Sequence, residues 1–335
     1  MVRRSSVVNI LEIENLNVVY TGRKEKVYAV NNVSLSIAEG ESVGIVGESG
    51  SGKSTLAMAV LRLLSEKKAD VSGTINFQGK DILGMSLKDY KQIRWKEISV
   101  VFQKSMNALS PIHKIGGQLE DIYRVHEPNE NKKVIKEKIL KLFTMVNLSD
   151  RVYNLYPHEL SGGMLQRVSI ALSLIHNPSF IVLDEATTAL DVVTQGQILR
   201  EIKKLETEIK MTRMMITHDI SVVATSCDKV VVMYAGKVME VGNVKDVLTK
   251  PAHPYTQGLL NSFPSLKGEK KQLTGIRGFL PDLSEKKEGC IFAPRCDFAK
   301  DICRNVTPKD YEVSSNQRSA CHMHGSEYYE NRRTS

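Results

Sequence analysis

No apolar run in this 335-residue chain approaches the ~18 residues that a membrane-spanning helix requires. Any contact with a membrane is therefore expected to come through a partner. A secretory leader is not expected either. Arg3 and Arg4 are followed by Glu12 and Glu14, which interrupt the apolar stretch such a leader needs. The protein is expected to stay in the cytosol. There is no internal repeat and no long low-complexity tract. Charge is not segregated: the formal net charge is +8, but Lys and Arg are spread along the chain and mixed with Glu. A dedicated surface for nucleic acid or anionic lipid is thus not the favoured reading. Cysteine is scarce over most of the length. Only Cys227 of the five precedes the last fifty residues, and disulfides are not expected in a cytosolic chain.

What is present is globular. Apolar residues make up 41% and charged residues 25%, enough for one large domain or two ordinary ones. The most specific stretch is Gly47-Glu48-Ser49-Gly50-Ser51-Gly52-Lys53-Ser54-Thr55, which fits G-x-x-x-x-G-K-[ST]. The apolar Val43–Val46 before it predicts a buried strand, and Thr55–Leu64 after it predicts a helix with Leu56, Val60, Leu63 and Leu64 on one face. Glycines let such a loop fold its N–H groups inward around a polyphosphate, and the helix N-terminus adds partial positive charge. Lys53 would reach the β- and γ-phosphates and the Ser54 hydroxyl would ligate Mg²⁺. The chain is expected to bind a nucleoside triphosphate.

Further along, residues 9–20 and 29–37 alternate as strands, with a break in phase between Ile13 and Leu16. Val71–Phe77 with a Gln78-Gly79 turn reads as a hairpin arm, and Ile98–Phe102 as a short strand ending at Gln103. From 104 to 160 the period becomes helical. Asn131–Val146 is the clearest case, with Val134, Ile135, Ile139, Leu142, Phe143 and Val146 on one face and lysines on the other. Leu160-Ser161-Gly162-Gly163 opens another helix with Ser161 as its cap. Phe180–Leu183 is a buried strand ending in Asp184 and Glu185, and Met214–Ile216 another, ending in Thr217-His218. Val230–Val241 reads as a hairpin turning at Ala235-Gly236. From Pro251 on, prolines and a lysine run mark a linker or a loosely built appendage. The expected class is α/β, with a domain over 1–250, a helical insertion over 104–160 and an extension over 251–335.

The order and spacing of these stretches are similar to the motif set of ABC-type ATPases over residues 10 to about 250. The resemblance implies that Gly47, Ser49, Gly50, Gly52, Lys53, Ser54 and Thr55 hold ATP. Tyr20, which alone could be an ordinary strand aromatic, would stack on adenine. Asp184 would hold Mg²⁺ through water, Glu185 would be the catalytic base, His218 would meet the γ-phosphate, and Gln103 would sense Mg²⁺ and face the membrane subunits. Ser161, Gly162 and Gly163 would contact the ATP of a partner ATPase, so that two subunits sandwich two nucleotides. Met164 stands where the commonest signature has Gln.

His253-Pro254-Tyr255-Thr256, Pro281-Asp282-Leu283 and Gly289-Cys290-Ile291-Phe292-Ala293-Pro294-Arg295-Cys296 resemble the C-terminal extension of oligopeptide/dipeptide importer ATPases, and Gln103-Lys104-Ser105-Met106 the first of the two ATPases in such importers. The resemblance implies a second ATPase, two permeases and an external solute-binding protein as partners, and no nucleic acid. Some such importers carry oligosaccharides. A soluble ABC ATPase acting on nucleic acid or ribosomes is the rival class, but it usually has two cassettes or a long coiled coil, and this chain has neither. Cys290, Cys296, Cys303 and Cys321 follow C-x5-C-x6-C-x17-C. Related importer ATPases imply a [4Fe–4S] cluster there. A Cys₄ zinc site and reduced thiols packing a small tail are the alternatives.

Overall fold

The structure, a computed structural model, describes residues 8–22, 25–102, 109–186, 192–262 and 275–330. Two compact units interleave along the chain. One is built chiefly from 77–216, the other from 12–36, 43–76 and the described residues after 217.

Alternation makes the first strands. In β1 (Asn9–Thr21) Leu11, Ile13, Leu16 and Val18 are buried, and in β2 (Lys26–Ala38) Val33, Leu35 and Ile37 are. The break in phase after Ile13 has a backbone cause. Asn15 takes φ 49°, and this left-handed residue resets which face the next side chains meet. Every residue of β3 (Ser42–Val46) is buried. Helix α1 (Lys53–Val60) starts earlier and ends sooner than its apolar pattern suggests, because Leu61 caps it and Arg62 turns to φ 48°. With β4 (Ala69–Phe77), the first two strands form a sheet in the order β2-β1-β4.

The unit around 77–216 opens with β5 (Lys80–Asp81) and α2 (Leu87–Ile93), whose first turn is capped by the Ser86 hydroxyl accepting from the Asp89 amide. After β6 (Ile98–Phe102) come α3 (Ile115–Arg124), α4 (Lys132–Met145) and two short 3₁₀ turns at 150–154 and 157–159. This is the expected helical stretch; its first residues, 104–108, lie outside the described ones. Ile135, Ile139, Leu142 and Phe143 bury one face of α4, but Val134 is 37% exposed. One residue is about 100° of helix, which turns Val134 off that stripe. Helix α5 (Gly162–Ser173), β7 (Phe180–Asp184), α6 (Val192–Ile209) and β8 (Thr212–Ile216) complete the unit. Strands β6, β7 and β8 run parallel, with Val100 opposite Val182 and Val182 opposite Met214. Strand β8 begins two residues before its apolar run. The Thr212 hydroxyl accepts from the Gly40 amide at 2.8 Å, and buried Arg213 pairs with Glu206 at 2.6 Å.

In the other unit, α7 (Ile220–Ser226) leads to the hairpin of β9 (Lys229–Tyr234) and β10 (Lys237–Asn243), with Ala235 at φ 48° in the turn. Strand β9 pairs in parallel with β3. Then come α8 (Val244–Thr249), α9 (Pro254–Asn261), α10 (Asp301–Asn305), β11 (Tyr311–Ser314), β12 (Gln317–Ser319) and α11 (Glu327–Glu330). In its described residues this tail is not the loose appendage its prolines suggest. Strand β12 pairs antiparallel with β10, so the sheet continues in the order β11-β12-β10-β9-β3. His253 caps α9, its Nδ1 accepting from the Tyr255 amide at 3.0 Å. Burial, with nearby His324, lowers its pKa to about 3, so the ring stays a neutral acceptor. The tail also has an apolar anchor. Phe292 meets Tyr234 and Tyr255, each with ring centroids 5.3 Å away.

Glu240 ties the tail down. Only 1% exposed, it accepts from the Ala252 and His253 amides, both at 2.9 Å, and from Gln317 Nε2 at 2.7 Å. Removing a buried acceptor of that kind strands its donors. Glu240→Ala is expected to lower stability by about 3 kcal/mol and to expose the chain after residue 275 to limited proteolysis. Urea denaturation and timed trypsin digestion measure both.

Candidate functional site

The phosphate loop leaves buried β3 through Gly47 at φ 153° and enters α1 through Gly52 at φ 97°. A Cβ at Gly47 would clash with the Met233 carbonyl, and one at Gly52 with the Ala29 carbonyl. No other residue fits either place. The loop is closed internally by the Ser51 amide donating to the Glu48 carbonyl at 3.2 Å, and tied to the β9–β10 turn by the Gly236 amide donating to Ser51 O at 2.9 Å. Lys53 lies inside it. Its Nζ donates to Gly47 O and Glu48 O, both at 2.8 Å, and to Ser51 Oγ at 3.2 Å. Ser49, Gly50 and Ser54 are exposed around this buried ammonium. Thr55 is half-buried and its hydroxyl is 3.3 Å from the Tyr20 hydroxyl, which sets the Tyr20 ring beside the start of α1.

His218 belongs to the same unit. The residue before it, Thr217, donates its amide to Ile45 O of β3 at 3.2 Å. The residue after it, Asp219, caps α7 by accepting from the Ser221 amide at 2.9 Å. Both neighbours are pinned while the imidazole stays exposed.

The expected carboxylates and the signature serine lie in the unit around 77–216. Asp184 is half-buried at the C-terminal end of β7, opposite Phe102 and Ile216. Glu185 follows at φ 49°, held there by its amide donating to Ile216 O at 2.9 Å. A glutamate in the left-handed region costs on the order of 1 kcal/mol or more, and such residues concentrate at functional sites. Ser161 caps α5, with its Oγ accepting from the Met164 amide at 3.3 Å, and Ser161 and Gly162 are exposed. A methyl group on Gly163 would meet nothing closer than Thr194 Cγ2 at 3.4 Å, an ordinary contact. Gln103 and the Ala189-Leu190-Asp191 stretch lie outside the described residues.

Cys290, Cys296, Cys303 and Cys321 line one small cavity of about 20 Å³ with Phe292 and Tyr328. Burial pushes the Cys296 thiol up to about 11 and the Cys321 thiol up to about 12, and raises Cys290 as well. Among the described residues, no three His, Cys, Asp or Glu side chains are placed to hold a metal ion. The expectation of an iron–sulfur or zinc centre thus gains convergence of its four thiols but no metal-binding geometry. Cys227 does not line that cavity; it is half-buried beside Ser226 and packs against the same core cluster as Cys290 and Cys296.

One contact went unread in the sequence. Arg295 pairs end-on with Glu48 of the phosphate loop, Nη1 to Oε2 at 2.7 Å and Nη2 to Oε1 at 3.0 Å. Burial opposes the guanidinium's charge, but hydrogen bonds to Glu48 and Tyr234 outweigh it and the pKa moves up. The Glu48 amide in turn donates to the Tyr255 hydroxyl at 3.0 Å. Both Arg295 and Tyr255 sit in stretches singled out from sequence, but nothing in the local pattern points 247 residues back to Glu48.

Known proteins are similar to this chain over most of its length. A family model described as "ABC transporter" matches residues 30–188, and one described as "Oligopeptide/dipeptide transporter, C-terminal region" matches 239–303. The chain is 40% identical to a probable peptide ABC transporter ATP-binding protein of Sinorhizobium fredii, over 93% of this chain and 94% of that one. It is 39% identical to the oligopeptide transport ATP-binding protein AppD of Bacillus subtilis (95% and 98%), and 40% identical to OppD of Escherichia coli (93% and 92%). Among solved structures, the ATP-binding cassette MJ0796, a dimer bound to ADP and Pi in a post-hydrolysis state, matches 70% of this chain and 98% of its own with TM-score 0.63 and 31% identity. Among the described residues no helix is long and apolar enough to cross a membrane. With its phosphate loop, its strand-end carboxylates and its cysteine-bearing tail, the chain belongs to the family of ABC transporter ATP-binding proteins that carry the oligopeptide/dipeptide transporter C-terminal region.

Proposed function

We propose that this chain is the ATP-hydrolysing subunit of an importer for oligopeptides or dipeptides, held at the cytoplasmic face of the membrane by permease subunits. The observation that carries the ATP reading is the phosphate loop itself. A buried ammonium held by loop oxygens is poised to exchange carbonyls for phosphate oxygens, which carry far more negative charge. Gly47, Ser49, Gly50, Gly52, Lys53, Ser54 and Thr55 would bind the phosphates, and Tyr20 would stack on the adenine. Ser54 and Asp184 are hard oxygen donors suited to Mg²⁺, which when bound supplies charge neutralisation at the β- and γ-phosphates. Glu185 would orient the water whose oxygen bonds to the γ-phosphorus as the bond to ADP breaks. His218, and Gln103 beyond the described residues, would face the γ-phosphate. Glu185→Gln is expected to retain ATP binding while hydrolysis falls about 10²-fold or more, the scale of a lost general base. Steady-state hydrolysis with the native partners measures it, and an undiminished rate would remove Glu185 from that role.

The Ser161-Gly162-Gly163 cap, exposed at its first two residues, supports assembly with a second, related ATPase. This chain's own packing would admit a methyl group at Gly163, so the demand for glycine would come from outside, where a partner's phosphates approach the α5 N-terminus. The partners would be that ATPase, with this chain the first of the two, two permeases and an external solute-binding protein; the peptide names of the relatives favour peptide over oligosaccharide as cargo. Ser161→Arg is expected to leave ATP affinity of the isolated subunit nearly unchanged and to depress turnover of the assembled pair. Equal loss of affinity in the isolated subunit would speak against a cross-subunit role.

We also propose a [4Fe–4S] cluster at Cys290, Cys296, Cys303 and Cys321. The donor set suits it in kind, since four thiols line one cavity and thiolates are the ligands such a cluster takes. A cluster would tether the tail and supply no step in ATP hydrolysis. Protein purified without oxygen is expected to be brown, to absorb near ~400 nm and to hold about four irons per chain. Colourless protein with about one zinc per chain would replace it with a Cys₄ site. Metal-free protein with an ordered tail would leave the thiols as packing.

A further inference from the structure

The tail reaches the phosphate loop at three points and the strand behind it at a fourth. Arg295 grips the Glu48 carboxylate with two parallel hydrogen bonds, and the Tyr255 hydroxyl accepts from the Glu48 amide. Leu280 lies under Gly50, where an added Cβ would stand 3.4 Å from its Cδ1. Leu283 O accepts at 2.9 Å from the amide of Tyr28, the neighbour of Ala29, whose carbonyl backs Gly52.

The Arg295 grip is the most built of these. Its side chain is 7% exposed, against 27% for Glu48. Three further contacts fix the guanidinium: Nε donates to Arg277 O at 2.7 Å, Nη2 to Ile276 O at 3.1 Å and Nη1 to the Tyr234 hydroxyl at 3.3 Å. A planar fork held from behind by two carbonyls presents its other edge in one orientation only. A carboxylate bound to that edge, with its own amide tied to Tyr255, cannot let the loop backbone at Glu48 drift. The Glu48 carbonyl is one of the oxygens that hold Lys53. The chain of contacts runs from Arg295 through Glu48 to the ammonium expected to meet the phosphates.

We propose that Arg295 is a positioning residue for the phosphate loop. Carried on the Cys290–Cys296 loop, it fixes Glu48 and thereby makes ATP affinity depend on the folding of the tail. It touches no phosphate itself. The fork is shaped for a carboxylate and is already filled by one. The proposal rests on the reading of residues 47–55 as the ATP-binding loop.

A double-mutant cycle tests it on the full-length protein, with fluorescent ATP-analogue titration for affinity and steady-state hydrolysis for KM and kcat. Arg295→Met and Glu48→Gln are each expected to raise Kd and KM for ATP on the order of tenfold, with kcat at saturating ATP within about threefold of wild type. The double variant should be no worse than the worse single one, because both remove one interaction. Exchanging the charges, Glu48→Arg with Arg295→Glu, should recover part of the lost affinity. A residue that merely stabilises the tail would lower the melting temperature without this KM-against-kcat split and without the non-additivity. If either single variant binds ATP within about twofold of wild type, or if the two losses multiply, the proposal falls. Should Arg295→Met fail to fold, Glu48→Gln alone keeps the test, since that carboxylate sits on the exposed side of the pair. Lys53→Ala separates the two readings. If it leaves ATP affinity unchanged, the phosphate-loop assignment fails; if it abolishes binding while Arg295→Met does not weaken it, only the positioning role fails.

Discussion

A positive charge buried inside a loop of carbonyl oxygens is the constraint to which much of this unit answers. Lys53 is 6% exposed, and its ammonium is satisfied by the backbone that curves around it. A curve that tight brings the backbone against the Met233 and Ala29 carbonyls, which is why glycine stands at 47 and 52. It also needs rigid walls. Buried β3 supplies one, parallel pairing of β3 with β9 supplies a second, and the β9–β10 turn holds Ser51 O from a third side. An ion kept from water is costly unless each neighbour is in place, so small errors in the walls are felt at the ammonium.

The fold was legible wherever burial imposes a period. The apolar strands, the hairpin at Ala235 and the face of α4 show in the sequence, because one side of each meets a core. Even the flaw in the first strand's alternation is physical, being the left-handed Asn15. The misreadings have causes too. Strand β8 starts with a threonine and a buried arginine, whose partners, Gly40 and Glu206, are not its sequence neighbours. Strands β11 and β12 are short and mostly polar, and they belong to the sheet through the pairing of Glu240 with Ser319 rather than through apolar alternation. Composition in the tail suggested looseness, because prolines recur from 251 to 281 and a lysine run falls at 267–271. It missed that Ile291 and Phe292 are buried against aromatic residues contributed by β9 and α9.

The candidate site divides in the same way. Residues that bind through a local shape, such as the glycines, Lys53 and the Ser161 cap, are readable, because spacing and chemistry travel together. Asp184 and His218 are readable in company, through the strand ends that place them. The unusual backbone of Glu185 is not readable at all: it comes from the Ile216 carbonyl reaching the Glu185 amide. The pairing of Glu48 with Arg295 is hidden for a related reason. Position 48 is a free choice within the phosphate-loop pattern, and a residue that the pattern leaves open carries no signal of its partner.

That freedom bears on what the tail is for. A phosphate loop needs its glycines, its lysine and its hydroxyl residues wherever it occurs, so variation between proteins must be lodged in the open positions and in what packs behind them. Here an open position holds a carboxylate, and the tail supplies the cation, the tyrosine hydroxyl and the leucine that meet the loop. The same Phe292 that packs against Tyr234 and Tyr255 also lines the cysteine cavity. Thiols, aromatic rings and ion pair therefore share one short segment, and the backbone between Cys290 and Cys296 cannot be disturbed at one end without moving the other. The tail is in this sense part of the wall around Lys53, and order in a segment far along the sequence becomes a condition for the shape of the phosphate loop.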